Sequence, residues 1–301
     1  MKLAVAASPE VAFPVLEWLK NSKHDLALII SRPDSQVGRG RELAPTAVSS
    51  WAIENGIDLY CPQKAADFDE RLKSFDLVIT IGYGVLLPQY LLDQPKHGFI
   101  NLHFSLLPKL RGAAPAQRAI ISGLTETGIT VFKLDAGMDT GPIYYQAKYE
   151  IPKGTSAGEL LVELAKLGPK AIEKTLEAIT SEILPIKQEA GQETLAPKLT
   201  KAEAQLDWSQ SADQIVNKIL GFAPNPGATT KFRGEILRIT RACTSEVTIP
   251  IGRLVLADGK VLVGSSTSSV ELLQVTPAGK KSMAASAWAN GARFSDGETL
   301  E

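Results

Sequence analysis

DLVITIGYG (76–84) and GFINLH (98–103) are the two stretches whose reading decides the fold of this chain. Each is a short, nearly continuous apolar run, and the first ends in a glycine-marked turn. Such runs are the mark of parallel strands covered by helices on both faces, whereas a half-exposed strand would alternate. Toward the N-terminus, LAVAA (3–7) and DLALIIS (25–31) read the same way. Between them PEVAFPVLEWLK (9–20) carries apolar residues at helical spacing, and TAVSSWAIENG (46–56) reads as a helix stopped by glycine. Strands alternating with helices predict βαβ units and an α/β fold with a Rossmann-like, doubly wound, mainly parallel sheet.

Toward the C-terminus a longer helix is predicted over about 156–178, bent near Gly168-Pro169. Residues 181–206 are polar and without clear period, which suggests a linker. DWSQSADQIVNKILGF (207–222) reads as a capped helix, and after it come the β-rich runs GATTKF, EILRITRA, GRLVLA, KVLVG and SVELLQV. Close-spaced strands broken by Gly, Asp-Gly and Ser/Thr turns predict a small C-terminal β-barrel, OB-like, or a sandwich. The expected organisation is a catalytic domain at 1–180, a linker at 181–206 and a binding module at 207–301.

Composition narrows the classes. The 301 residues are 44% hydrophobic with a formal net charge of −1, ordinary for a globular chain of about two domains. No run approaches the roughly 20 apolar residues of a membrane helix. The apolar start is short and interrupted by Pro9-Glu10, so it reads as a first strand and the expected location is the cytoplasm. The two cysteines, Cys61 and Cys243, are far apart, form no disulfide framework and are expected to be buried thiols. With three histidines, His24, His97 and His103, no metal centre is expected. No G-x-G-x-x-G follows the first strand, which argues against a nicotinamide-dependent dehydrogenase.

Chemistry concentrates in GFINLHFSLLPKLRGAAPAQR (98–118) and LDAGMDTGP (134–142). Asn101 and His103, two apart at a strand end, share one face. Ligands of open α/β sheets bind beyond the carboxyl ends of the strands. The irregular apolar loop Ser105-Leu106-Leu107-Pro108 suits a flat heteroaromatic ligand. On the second stretch Asp135 or Asp139 could reach the histidine. An amide donor, an imidazole and a carboxylate suit acyl transfer to an amine: the amide steadies an oxyanion, the ring moves a proton and the carboxylate orients it. Alone, an Asn-x-His at a strand end is commonly structural; the Ser-Leu-Leu-Pro and Arg111-Gly112 that follow change that.

Asn101-Leu102-His103, Ser105–Pro108, Arg111-Gly112-Ala113-Ala114-Pro115 and Asp135–Gly141 together resemble the signature of the 10-formyltetrahydrofolate-dependent formyltransferases. SRPDSQVGRGRELAP (31–45), IGYGVLLP (81–88), LGPKAIEKTLEAI (167–179), APKLTKAEAQLDW (196–208) and PAGKKSM (277–283) extend the resemblance from about residue 3 to beyond 280. It implies that Asn101, His103 and Asp139 are catalytic. It also implies that Ser105, Leu106, Leu107 and Pro108, with Gly82, Tyr83 and Gly84, hold the folate donor. The acceptor it implies is the amino group of methionine on initiator tRNA, engaged at the acceptor stem by an enzyme expected to be monomeric and to need no metal. In that scheme Asn101, and His103 when it can donate, stabilise the former formyl oxygen. The charge of Asp139 is expected to raise the pKa of His103.

Arg39 and Arg41, on a basic glycine-rich loop, suit phosphate contacts, since the guanidinium fork pairs two-point with phosphate and stacks on bases. Residues 207–301 carry 10 Lys/Arg and 9 Asp/Glu, so charge is informative only locally. Lys231 and Arg233, with Arg238 and Arg241, fall in one predicted hairpin, and Lys280 and Lys281 follow a turn. They are the expected RNA contacts of the C-terminal module.

Overall fold

The computed structural model describes every residue except 38–41, 69 and 296. The chain runs β1 (Lys2–Ala7), α1 (Phe13–Lys20), β2 (Asp25–Ile30), the paired β3 (Ser35–Val37) and β4 (Glu42–Ala44), α2 (Ala47–Glu54) and β5 (Leu59–Tyr60). It continues through β6 (Leu77–Ile81), α3 (Gln89–Leu92), β7 (Phe99–His103), α4 (Pro115–Ile121), β8 (Glu126–Lys133), β9 (Ile143–Glu150) and α5 (Ala157–Thr180). Contacts gather the chain into two compact units. One comprises Met1–Pro115, Thr127–Tyr149 and Leu161–Pro197; the other comprises Ala116–Glu126, Glu150–Leu160 and Lys198–Glu301.

In the first unit the strands form a seven-stranded sheet in the order β5-β2-β1-β6-β7-β8-β9. The first five pair in parallel and β8 joins β7 antiparallel. Taken in chain order the parallel strands stand 3-2-1-4-5, so the winding reverses between β1 and β6, as in doubly wound folds. Every residue of β6 is buried, and all of β1 after Lys2, which is why these segments read as unbroken apolar runs. One face packs Ala4, Ala6, Ile30, Val78 and Phe99 against Phe68, Leu72 and Leu91. On α5, a Cβ at Gly168 would stand 2.8 Å from Val15 Cγ2 and 3.0 Å from Leu102 Cδ2, so glycine lets this helix close onto α1 and β7. The helix continues through Pro169 from Ala157 to Thr180. Thr46 caps α2, its hydroxyl accepting from the Ser49 N–H at 3.0 Å. Among the described residues no helix is long and apolar enough to cross a membrane.

The second unit is built on α6 (Ala212–Phe222), β10 (Ala228–Phe232), β11 (Glu235–Ser245), β12 (Leu254–Ala257), β13 (Lys260–Gly264), β14 (Ser269–Pro277), β15 (Met283–Ala284) and α7 (Ala285–Ala292). Ser211 and Gln214 form a capping box at the start of α6, which buries Ile215, Ile219, Leu220 and Phe222. The strands pair in the order β10-β11-β14-β13-β12, with β15 on β14. This leaves β10 and β12 as edges, and residues 298–301 bridge both. Leu254 N–H donates to Glu298 C=O at 2.8 Å and Leu300 N–H to Gly252 C=O at 2.9 Å, while Lys231 and Glu301 exchange two backbone bonds of 3.0 Å. The two edges are thereby partly covered, at Lys231 on β10 and at the start of β12.

The stretches Ala116–Glu126 and Glu150–Leu160 complete this unit. Gly158 N–H bonds Ala223 C=O at 3.1 Å, Arg118 pairs with Glu203 at 2.8 Å, and Arg241 pairs with Glu159 at 2.6 Å. The Arg241 guanidinium, aided by the Ser156 N–H, holds the Glu159 carboxyl down at about 2. Cys243 departs from the expectation of burial: it lies on the outward face of β11 and is exposed, whereas Cys61 is half-buried.

Candidate functional site

Beyond the carboxyl ends of β6 and β7 the first unit opens a cleft of about 380 Å³. Its walls include Gly82, Tyr83, Gly84, Val85, Leu86 and Leu87 after β6, Asn101 to Phe104 on and after β7, Gly112 and Ala113, and Leu134, Asp135, Gly137, Met138 and Asp139 from the β8–β9 connection. The size falls within the range of small-molecule sites. Gly82 is obligatory for the turn: its φ is +58° and a Cβ would stand 2.7 Å from Pro9 Cγ. Tyr83 is buried behind the turn, and that burial pushes its phenol up to about 12, so it stays neutral.

The three side chains of interest converge on this cleft. Register places Thr80 opposite Asn101, and the Thr80 hydroxyl donates to Asn101 Oδ1 at 2.7 Å. With its oxygen engaged, the Asn101 amide keeps its two N–H donors for the cleft. His103 is 5% exposed, and its Nε2 lies 2.9 Å from the Leu110 carbonyl. A carbonyl can only accept, so Nε2 carries the proton and the neutral ring presents a bare lone pair at Nδ1. Asp139 Oδ2 stands 3.8 Å from that Nδ1 and accepts the Gly112 N–H at 2.8 Å. Asp139 adopts φ +55° and Leu110 φ +59°, so both neighbours of the ring are held in the left-handed region. Asp135 does other work: its Oδ1 accepts from the Gly137 N–H and the Thr140 hydroxyl, fixing the turn.

Asp139 does pull the His103 pKa upward, as expected, but the net shift runs the other way. Burial lowers its pKa below the ordinary 6.5, outweighing the opposing pull of the Asp139 charge and of the bond to Leu110. Sequence shows the carboxylate but not the depth of the ring, and desolvation of the imidazolium is the larger effect.

Ser105, Leu106, Leu107 and Pro108 are not among the cleft-lining residues. Ser105 and Leu107 are buried, and the loop is bonded to the sheet behind it. Thr130 Oγ1 donates to Ser105 C=O at 2.7 Å and accepts from Leu107 N–H at 3.1 Å, and Gln146 donates to Leu107 C=O at 2.8 Å. Arg39 and Arg41 lie outside the described residues. Lys231, Arg233, Lys280 and Lys281 are all exposed. Because Lys231 faces Ile236 and Leu237 faces Pro277, the β10–β11 turn and the turn after β14 share one end of the sheet, gathering these four cations. Arg233 is steadied there by Glu298 at 2.7 Å and lies over the Phe232 ring.

Sequence reasoning missed Thr80 and Leu110. Thr80 did leave a signal, as the polar residue within the buried run LVITI. Leu110 acts through its backbone, and a bond made by a carbonyl has no side-chain signature. Among the described residues no three His, Cys, Asp or Glu side chains are gathered to ligate a metal.

Comparison with known proteins matches this geometry to a family. Residues 1–176 fit the model of the formyl transferase domain and residues 198–293 that of the formyl transferase C-terminal domain. Proteins named methionyl-tRNA formyltransferase from Thermobifida fusca and Streptomyces coelicolor are each 40% identical, over 305 and 308 residues, covering 99% and 100% of this chain and 98% and 99% of theirs. An N-formyltransferase from Helicobacter canadensis, solved with folinic acid and dTDP-3-aminofucose, shares the fold with a TM-score of 0.72 at 17% identity, over 92% of this chain and 100% of that one. A methionyl-tRNA formyltransferase from Clostridium thermocellum does so with a TM-score of 0.56 at 19% identity, over 81% and 94%. With an amide, an imidazole and a carboxylate set in one cleft and both domain models matched in order, this chain belongs to the formyl transferase family of enzymes.

Proposed function

We propose that the chain transfers a formyl group from 10-formyltetrahydrofolate to the α-amino group of methionyl-initiator tRNA in the cytoplasm, supplying N-formylmethionyl-tRNA for translation initiation. The observation that carries this reading is the ordered trio, in which Thr80 fixes the Asn101 amide and Leu110 fixes the tautomer of His103 beside Asp139. Identity of 40% over nearly the whole chain to proteins bearing that name supports the acceptor.

The cleft fits a folate. The 82–87 turn, with Leu92, Phe104 and Leu134, offers an apolar slot bordered by backbone polar groups, which is what a flat heteroaromatic ring requires. When bound, the folate presents a formyl carbonyl on N10 to the attacking amine. Asn101 donates its amide N–H to the oxygen on which charge develops. His103, neutral because of its burial, accepts the amine proton at Nδ1. Since its Nε2–H is committed to Leu110, the ring becomes a second donor at Nδ1 only after that proton arrives. Asp139 then faces an imidazolium and stabilises it while His103 passes the proton to the departing nitrogen.

The four cations at one end of the C-terminal sheet support a phosphate-backbone contact, and Arg39 and Arg41 remain the expected acceptor-stem residues. If the four cations each neutralise one phosphate, affinity for tRNA drops about a hundredfold between 50 and 200 mM salt. A dissociation constant independent of salt would remove this surface from the reading. The function itself is tested by following labelled formyl from the folate to methionyl-initiator tRNA, free methionine and a nucleotide-linked amino sugar. Transfer confined to the charged tRNA is the expected result, and preference for the sugar would overturn it.

A further inference from the structure

Residues 181–197, which follow the helix ending at Thr180 and fall between the two matched domain models, belong to the stretch the sequence reads as a polar linker. In the structure this strap runs along the loops that hold the trio. Ile186 pairs with Ile143, and Leu195 bridges Arg111 in parallel. Arg111 N–H donates to Thr194 C=O at 2.9 Å, Ala196 N–H to Arg111 C=O at 2.7 Å, and Ala114 N–H to Ala196 C=O at 3.0 Å. At Gly112 the approach is so close that a Cβ would stand 2.7 Å from Ala196 O.

Two side chains of the strap reach further. Gln188 Nε2 donates to the carbonyls of Asp139 and Gly141, each at 2.8 Å, while its Oε1 accepts from Arg111 Nε at 3.2 Å and Nη2 at 2.6 Å. One half-buried amide thus ties the Asp139 backbone to the loop whose Gly112 N–H holds the Asp139 carboxylate. Thr194 Oγ1 accepts the Leu110 N–H at 2.8 Å, and the carbonyl of the same Leu110 receives Nε2–H of His103. Leu110 and Asp139 are the two residues at the ring that sit at positive φ, a conformation that persists only where neighbours over-determine it. Leu110 bonds Thr194 of the strap through its N–H and His103 through its C=O, while Asp139 bonds Gln188 of the strap through its C=O and stands 3.8 Å from the ring through its carboxylate.

We propose that the strap is part of the catalytic apparatus, with Gln188 a positioning residue acting through Asp139 and Thr194 a positioning residue acting through Leu110 on His103. This rests on the reading of the trio given above. A shift of about 1 Å in a reacting group costs on the order of a hundredfold in rate, so strap bonds can govern turnover without touching substrate.

The test is a set of variants of the full chain, assayed for formyl transfer to methionyl-initiator tRNA. Gln188→Met keeps the volume and removes all four bonds. Its kcat falls at least about tenfold, with KM for folate and tRNA within about twofold of the parent. In the Asp139→Asn background the same substitution causes little further loss, because its effect travels through that carboxylate. Thr194→Val likewise lowers kcat, and Thr194→Ser, which retains the hydroxyl, restores it. A Gln188→Met enzyme with parental kcat, a loss fully additive with Asp139→Asn, or a Thr194→Ser enzyme as slow as Thr194→Val would overturn the proposal. If Gln188→Met does not fold, the threonine pair decides alone. An inactive parent would instead sink the underlying reading, so the two failures are distinct.

Discussion

Asp139→Asn lowers kcat by about two to four orders of magnitude while leaving folate affinity near that of the parent. The amide keeps the shape and can still accept the Gly112 N–H, so the loop is preserved and charge is what disappears. At a separation near 4 Å, opposite charges in protein surroundings attract by roughly 4 kcal/mol, which is the scale of the stabilisation withdrawn from the imidazolium. The pH profile gives a second reading of the same variant. His103 works as a base when neutral, so activity falls as pH drops through its pKa, and burial places that acid limb below 6.5. The carboxylate pulls the pKa upward, so removing it moves the limb further toward acid. Steady-state rates from acid to neutral pH check both effects; an unmoved limb with near-parental turnover would contradict the role.

Asn101→Ala is the second large effect, a fall in kcat of about 10²–10³. The loss belongs to turnover because the amide strengthens its bond as charge grows on the oxygen, adding little to ground-state binding. Thr80→Val supplies a graded comparison. It keeps the amide but frees Oδ1, which the hydroxyl engages at 2.7 Å, so the amide can turn. Its kcat lies between those of the parent and Asn101→Ala. Single-turnover formyl transfer checks the order, and a Thr80→Val enzyme slower than Asn101→Ala would break the argument.

Much of this was legible in the residues themselves. Continuous apolar runs marked β1, β2, β6 and β7, because burial on both faces leaves no alternation to obscure them. Asn101 and His103 were placed at a strand end by their spacing of two. What escaped the sequence was set by contacts distant along the chain. The order of pairing that brings 116–126 and 150–160 into the second unit has no local signature. The choice between Asp135 and Asp139 depends on how one turn folds back, with Asp135 spent on Gly137 and Thr140. The strap has neither helical nor strand period because its bonds go to the catalytic loops, and polar irregular sequence is what such a path requires. The sign of the His103 shift follows from enclosure on all sides, a property of the folded volume.

The four residues at 298–301 act as the clasp of a hoop. Cutting the chain ahead of them would bare the N–H and C=O of Lys231 on β10 and the N–H of Leu254 at the start of β12. Bared edges recruit other bared edges, so a nicked population would announce itself by self-association and rising light scattering while the cleft around His103 stayed assembled.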